Sequence, residues 1–213
     1  MFLSTTTLAF RLACEPDVAG LRALHALPAG LSDFQVIEYA LQKQRAADKP
    51  DSLPAALQRV VALAAIEHGA DGMRCHQWAL EGGSERELLQ QFLARINAGT
   101  RLVCWSAAEL PILLQRALLN ACESVSWPNA LRLAPALAEG QEAEPQLEVL
   151  ASLAGIGSAT AEGLTAIQRC RAEVVLIQQI LLRYRCLHGE LTAVDFQQAL
   201  AALAAAENQE RGR

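Results

Sequence analysis

Residues 57–80, LQRVVALAAIEHGADGMRCHQWAL, are the stretch that decides the fold. The first part, through Glu67, is apolar and partly β-branched, which favours a buried strand. The segment 68–72 (HGADG) has the glycines typical of a turn, and Met73–Leu80 is predicted to return as a second strand. The stretch therefore predicts an antiparallel β-hairpin that belongs to a larger sheet.

Helices and strands alternate after the hairpin. Ser84 and Glu87 have the capping-box spacing at the start of an amphipathic helix. A short buried strand is predicted at Arg101–Trp105, a helix at about Ala108–Ala121, and an edge strand at Trp127–Leu133. This alternation is typical of an α/β fold.

Another strand and two short helices are predicted before the hairpin. Thr6–Cys14 is predicted to be the first strand and to end before Pro16, because proline disfavours continuation of a ladder. Asp17 is a predicted N-cap for one helix, and Ser32 with Gln35 forms a second capping box. The sheet is therefore expected to take its first strand from the N-terminus.

The C-terminal part is predicted to be mainly helical. An acidic loop is expected at Glu139–Pro145. The predicted helices are at Leu147–Leu153, near Leu164–Leu187, and after a Thr192 cap. We expect a single domain over residues 1–206 and a flexible C-terminal tail over 207–213.

Composition limits the classes of partner. The 213 residues carry a net charge of −5, from 18 basic and 23 acidic side chains, so a general polyanion binder is excluded unless a local basic patch exists. Lys43 and Lys49 are the two lysines, and the other basic residues are arginine. We attribute most of this excess of arginine to coding bias.

The cysteines and histidines have no metal-binding spacing. Six cysteines and four histidines are scattered without a CxxC pair. We interpret the cysteines as reduced, mostly buried thiols of a cytoplasmic protein. No uncharged apolar run reaches the ~18 residues of a membrane span, so no membrane partner is expected.

Two further stretches carry a family resemblance: residues 102–118, LVCWSAAELPILLQRAL, and residues 169–192, RCRAEVVLIQQILLRYRCLHGELT. With the hairpin, their order and spacing resemble the 3′–5′ exonucleases of the DEDD superfamily, in the branch related to the DNA polymerase B exonuclease domain. The resemblance covers roughly residues 8–195. It implies a ribonuclease H-like three-layer α/β fold, with a central mixed β-sheet of about five strands flanked by helices.

The resemblance also implies a two-metal phosphodiesterase site of four carboxylates that hold Mg²⁺ or Mn²⁺. The corresponding positions of this chain depart from that pattern. In this chain, Arg11 and Ala13 occupy the Asp and Glu positions of the first strand, and Glu109 occupies the Asp position at the helix start. Arg169 and Glu173 occupy the tyrosine position and the last Asp position. Two of the four carboxylates therefore remain, each one methylene longer.

Arg11 is the decisive departure, because a guanidinium stays protonated and repels a cation. Glu15 would share the face of Arg11 if the strand continued past Cys14, which leaves Glu15, Glu109 and Glu173 as the candidate metal ligands. No cofactor is expected, unless an active site survives and takes Mg²⁺ or Mn²⁺. These substitutions favour an inactive homologue.

Three function classes remain open. The favoured one is a non-catalytic homologue that binds single-stranded nucleic acid or another protein. The alternatives are an active metal-dependent 3′–5′ exonuclease with a rearranged site, and a purely structural or regulatory interaction protein. The sequence leaves open the natural ligand, the choice between DNA and RNA, and the oligomeric state.

The first testable prediction concerns Arg11. We expect its guanidinium to lie within hydrogen-bond distance of Glu109 or Glu173, because an ion pair would compensate the charges that metals compensate in the relatives. The competing interpretation is that both glutamates are ordinary solvated helix residues. A structure with Arg11 in solvent, away from both carboxylates, would contradict the prediction.

Overall fold

A computed structural model describes residues 6–50, 52–123, 129–138, 145–156 and 163–211. The strands are β1 (Thr6–Pro16), β2 (Gln58–Gly69), β3 (Gly72–Ala79), β4 (Thr100–Cys104) and β5 (Ala130–Arg132). The helices are α1 (Val18–His25), α2 (Asp33–Arg45), α3 (Glu85–Leu93), α4 (Glu109–Leu119), α5 (Leu133–Ala138), α6 (Leu147–Leu153), α7 (Ala166–Leu187) and α8 (Ala193–Arg211). In these ranges no helix is long and apolar enough to cross a membrane.

The five strands form one mixed sheet with the order β3-β2-β1-β4-β5. β2 is antiparallel to both β1 and β3, whereas β1, β4 and β5 are parallel to one another. Helices flank this sheet. The predicted α/β fold with a mixed sheet of about five strands is confirmed, and it is consistent with the ribonuclease H-like fold.

The predicted hairpin is β2–β3. Gly69 pairs with Gly72, so the two residues between them make the turn. Gly72 has a φ of 102°, a backbone conformation that residues other than glycine rarely adopt. The turn chemistry of the sequence is thus what fixes the register of the two strands.

Alternation along β1 divides the core into two layers. Leu8 and Phe10 face α3 and α4, and Phe10 lies 5.4 Å from Phe92 between ring centroids. Ala9 faces the opposite side, where α7 and α8 pack against β1, β2 and β3. Because successive side chains of a strand point to opposite faces, Arg11 belongs to the α7 side. The sheet is therefore the middle layer of three.

α1 and α2 form a helical pair between β1 and β2. Asp17 caps α1 by accepting a hydrogen bond from the Gly20 N–H, and Ser32 with Gln35 forms the predicted capping box of α2. The pair encloses a small core of its own around Leu21, with Val36 and Ala40. Both predicted helix starts are confirmed.

Two predicted boundaries are wrong. β1 continues through Pro16, because Cys14, Glu15 and Pro16 still pair with β2 beyond a register shift. At the other end, α8 extends to Arg211, so the tail predicted over 207–213 is helical as far as that residue. The alanine-rich sequence of α8 has high helix propensity and supports this extension.

The edge strand is shorter than predicted. β5 comprises Ala130–Arg132, and Leu133 begins α5, a helix that the sequence pattern did not predict. Residues 124–128, including Trp127, and most of the predicted loop Glu139–Pro145 lie outside the described residues. α5 buries Leu133 and Ala134 against the sheet, so tertiary packing accounts for a helix this short.

None of the six cysteines forms a disulfide bond. Cys104 and Cys170 are buried, and the other four are half-buried, so the expectation of mostly buried cysteines is wrong. Burial raises the pKa of the Cys170 thiol to about 12, which keeps it protonated at neutral pH.

A buried ion-pair network joins α3, α4 and the start of α1. Arg116 donates from Nε and Nη2 to the two carboxylate oxygens of Glu85, and from Nη1 to Asp17 Oδ2 at 2.7 Å and the Ala56 carbonyl at 2.6 Å. Glu85 Oε1 also accepts the Val60 N–H at 2.7 Å, beside the register shift in β2. The network therefore satisfies polar groups at a point where the β-ladder is irregular.

Arg116→Met is expected to destabilise the protein by about 3–5 kcal/mol, because the Glu85 carboxylate would stay buried without its guanidinium. Urea denaturation followed by circular dichroism measures the change. Arg86→Met is the matched control, since Arg86 is exposed on the same helix as Glu85 and its loss should cost less than about 0.5 kcal/mol. Equal effects of the two substitutions would contradict the role given to Arg116.

Candidate functional site

The candidate site lies where β1 meets α4 and α7. β1 presents Arg11 on the face that α7 covers, and Glu173 lies on that helix. Glu109 is the first residue of α4, which follows β4, the parallel neighbour of β1. Sequence-distant side chains from three elements are thereby brought together.

The guanidinium of Arg11 binds both carboxylates. Nη1 donates to Glu109 Oε1 at 3.0 Å, and Nε donates to Glu173 Oε2 at 2.5 Å. The Arg11 side chain is 25% exposed, whereas those of Glu109 and Glu173 are 4% and 9% exposed. The predicted contact of Arg11 is confirmed for both glutamates, and neither glutamate is a solvated helix residue.

The carboxylate of Glu109 is held from two sides. Its Oε1 accepts from Arg11, and its Oε2 accepts the Ser106 N–H at 2.9 Å. Burial raises the pKa of the Glu109 carboxyl, although Arg11 and the Ser106 N–H act in the opposite direction. Burial also acts to lower the pKa of Arg11, but Glu109 and Glu173 together outweigh it and raise that pKa. The guanidinium therefore stays charged.

Two of the five motif positions contribute no polar group to this cluster. Ala13 is half-buried and packs against the core on the α7 side. Arg169 is exposed on α7, and no hydrogen bond or ion pair joins it to Glu173 in the described part of the chain. The structure thus brings together Arg11, Glu109 and Glu173.

Glu15 does not join the carboxylates. β1 does continue through this residue, but Glu15 is exposed and pairs in register with Arg59 of β2. It lines a separate surface cavity of about 410 Å³ with Arg22 and Asp33, and that lining does not include Arg11. The structure therefore gives Glu15 no part in a metal site with Glu109.

The side chains present do not fit a two-metal centre. Such a centre needs several carboxylates around two cations, whereas here one guanidinium lies against two carboxylates. Across the described ranges, no group of three or more His, Cys, Asp or Glu side chains could hold a metal ion. What the arrangement provides chemically is a charge-compensated, largely buried cluster.

The part of the fold from β2 to β5 contains the hairpin, α3, β4 and α4 with Glu109, in the order that the resemblance implied. Residues 50–132 match the family of predicted 3′–5′ exonucleases related to the exonuclease domain of PolB. No curated protein matches the chain. The resemblance to these exonucleases is thereby confirmed over this segment, while Arg11 and Glu173 lie outside the matched exonuclease-like residues.

Sequence reasoning did not single out Glu85, which the structure places in the buried network of the exonuclease-like segment. A glutamate directly after the capping Ser84 is typical of a solvated helix start, where its negative charge interacts favourably with the helix dipole. Glu85 is instead 7% exposed. The available signal was Arg116, in the exonuclease-like stretch 102–118, because a buried arginine needs an acidic partner.

Arg11→Met is expected to destabilise the protein by about 3 kcal/mol at neutral pH, the lower end for breaking a buried ion pair, since Arg11 is partly exposed. The free energy of unfolding that Arg11→Met loses should increase as pH rises. With a raised Glu109 pKa, the folded state binds more protons than the unfolded state above the ordinary value of 4.5, so stability falls as pH rises. Removing the guanidinium enlarges that fall.

Urea denaturation of both proteins, from about pH 4 to about pH 8, tests this dependence. Arg183→Met, an exposed position on α7, is the control for loss of an arginine. A difference between wild type and Arg11→Met that stays constant over this range would contradict the electrostatic account.

Proposed function

We propose that this chain is an exonuclease-like protein that does not cleave nucleic acid, in which the guanidinium of Arg11 compensates the carboxylates that would otherwise bind metal. The single observation that carries the proposal is the pair of hydrogen bonds from Arg11 to Glu109 and Glu173. An arginine cannot release its proton at working pH, so its charge competes permanently with a cation at this position.

The number of carboxylates supports the same proposal. Phosphodiester hydrolysis by two ions needs ligands for both ions and room for water between them. Glu109 and Glu173 are nearly buried and each accepts a hydrogen bond from Arg11, so a cation bound to them would lie beside the charge of the guanidinium. An active, rearranged nuclease would therefore have to hold its cations next to Arg11 or move Arg11 out of the site.

Charge favours a protein partner over single-stranded nucleic acid. Two carboxylates and one guanidinium give the cluster a formal charge of −1, and the whole chain carries −5. Phosphate groups would be repelled by this balance unless cations were supplied. We therefore propose an interaction protein in the cytoplasm, a location that the six thiols without a disulfide bond support.

The direct test is a calorimetric titration of the wild-type protein with MgCl₂ and MnCl₂, with a parallel assay of single-stranded DNA degradation. We expect no saturable metal binding and no EDTA-sensitive cleavage. Arg11→Asp/Ala13→Glu restores the Asp-x-Glu pair on one strand face, and this variant should gain Mn²⁺ binding and a Mn²⁺-dependent rise in melting temperature.

Saturable binding by the wild type, together with EDTA-sensitive cleavage that Glu109→Ala abolishes, would overturn the proposal. Fluorescence anisotropy with labelled single-stranded DNA in the absence of metal separates the two partner classes. Tight, salt-dependent binding in that assay would favour a nucleic-acid partner over a protein.

A further inference from the structure

A surface cavity of about 280 Å³ lies between α1, α2 and the chain that leads into β2. None of Arg11, Glu109 and Glu173 lines this cavity. Its apolar lining is aliphatic and includes Leu21, Leu24, Ala40, Leu53, Pro54 and Leu57. Leu24 is 63% exposed, so part of this apolar lining is open to solvent.

The same cavity has a cationic edge. Lys43 and Lys49, the two lysines of the chain, both line it, and so does His25. Lys43 Nζ lies 3.4 Å from His25 Nδ1. No aspartate or glutamate among the described residues forms an ion pair with either lysine. Two amines therefore face the cavity, and no carboxylate of the described residues 6–50 and 52–123 pairs with either of them.

Helix electrostatics account for only part of this edge. Lys43 lies in the last turn of α2, where the carbonyl ends of a helix favour a cation. Lys49 lies beyond the end of that helix, so the helix dipole does not explain its position at the same cavity. The combination of an aliphatic lining with two amines suits a ligand that has an apolar body and one anionic end.

We propose that this cavity binds an aliphatic carboxylate, with the hydrocarbon chain against the leucines and the carboxylate between Lys43 and Lys49. A nucleotide is disfavoured, because no aromatic ring other than the His25 imidazole lines the cavity to stack on a base. The cavity volume of about 280 Å³ is slightly below the range of small-molecule sites, about 300–1,000 Å³, which favours a short chain. The site does not depend on whether the protein cleaves nucleic acid.

Hexanoate, octanoate and decanoate are the probes, added to the full chain below their micelle concentrations. Calorimetry should give a saturable affinity that rises about fourfold per added methylene while the chain is buried. Octanol and octylammonium should bind at least tenfold more weakly than octanoate, because they lack the anion. Burial and Lys43 lower the pKa of His25, and bound octanoate should raise it in an NMR titration.

Lys43→Met/Lys49→Met should weaken octanoate binding at least tenfold, whereas Lys43→Arg/Lys49→Arg should keep it within about threefold, since the charges remain. Both lysines are exposed, so the variants should keep the wild-type melting temperature. Arg183→Met is the control for loss of a distant cation. The proposal is overturned if wild type shows no saturable binding, if octylammonium binds as tightly as octanoate, or if the methionine variant binds unchanged.

Discussion

The guanidinium of Arg11 ties β1 to two helices that pack on opposite faces of the sheet. It extends from β1 to Glu109, at the start of α4, and to Glu173 on α7, which packs on the other face from α4. Because the guanidinium has donors on several nitrogens, one residue can satisfy carboxylates from two directions. Buried carboxylates would be costly without it, so the positions of both helix segments depend on this one side chain.

Arg116 is a second arginine that binds two acidic side chains. Arg116 is buried and satisfies Glu85 and Asp17 at the irregular point of the β1–β2 ladder. The excess of arginine over lysine in the sequence is therefore not wholly a matter of coding bias. Lysine, with a single compact ammonium, could not make the same set of directed bonds at either position.

Local signals explain what the sequence could predict. The β2–β3 hairpin and the capping boxes at Ser32 and Ser84 depend on residues close in the chain. The contact between Arg11 and Glu173, 162 residues apart, was predictable only because the exonuclease resemblance placed both in one site. Glu85 lacked such a guide, because its burial depends on a backbone N–H of β2. The short α5 likewise depends on packing against the sheet rather than on its own periodicity.

The helical pair α1–α2 has a consequence for the order in which the sheet assembles. β2 and β3 are joined by a two-residue turn, but β1 and β2 are neighbours separated by the whole of residues 17–57. Closing that long connection costs more chain entropy than closing the hairpin. The small core around Leu21 shortens the effective loop once it forms, so the helical pair can assist the docking of β1 onto a preformed hairpin. The helical pair, which contributes to the cavity lined by Lys43 and Lys49, is in this sense also a folding element.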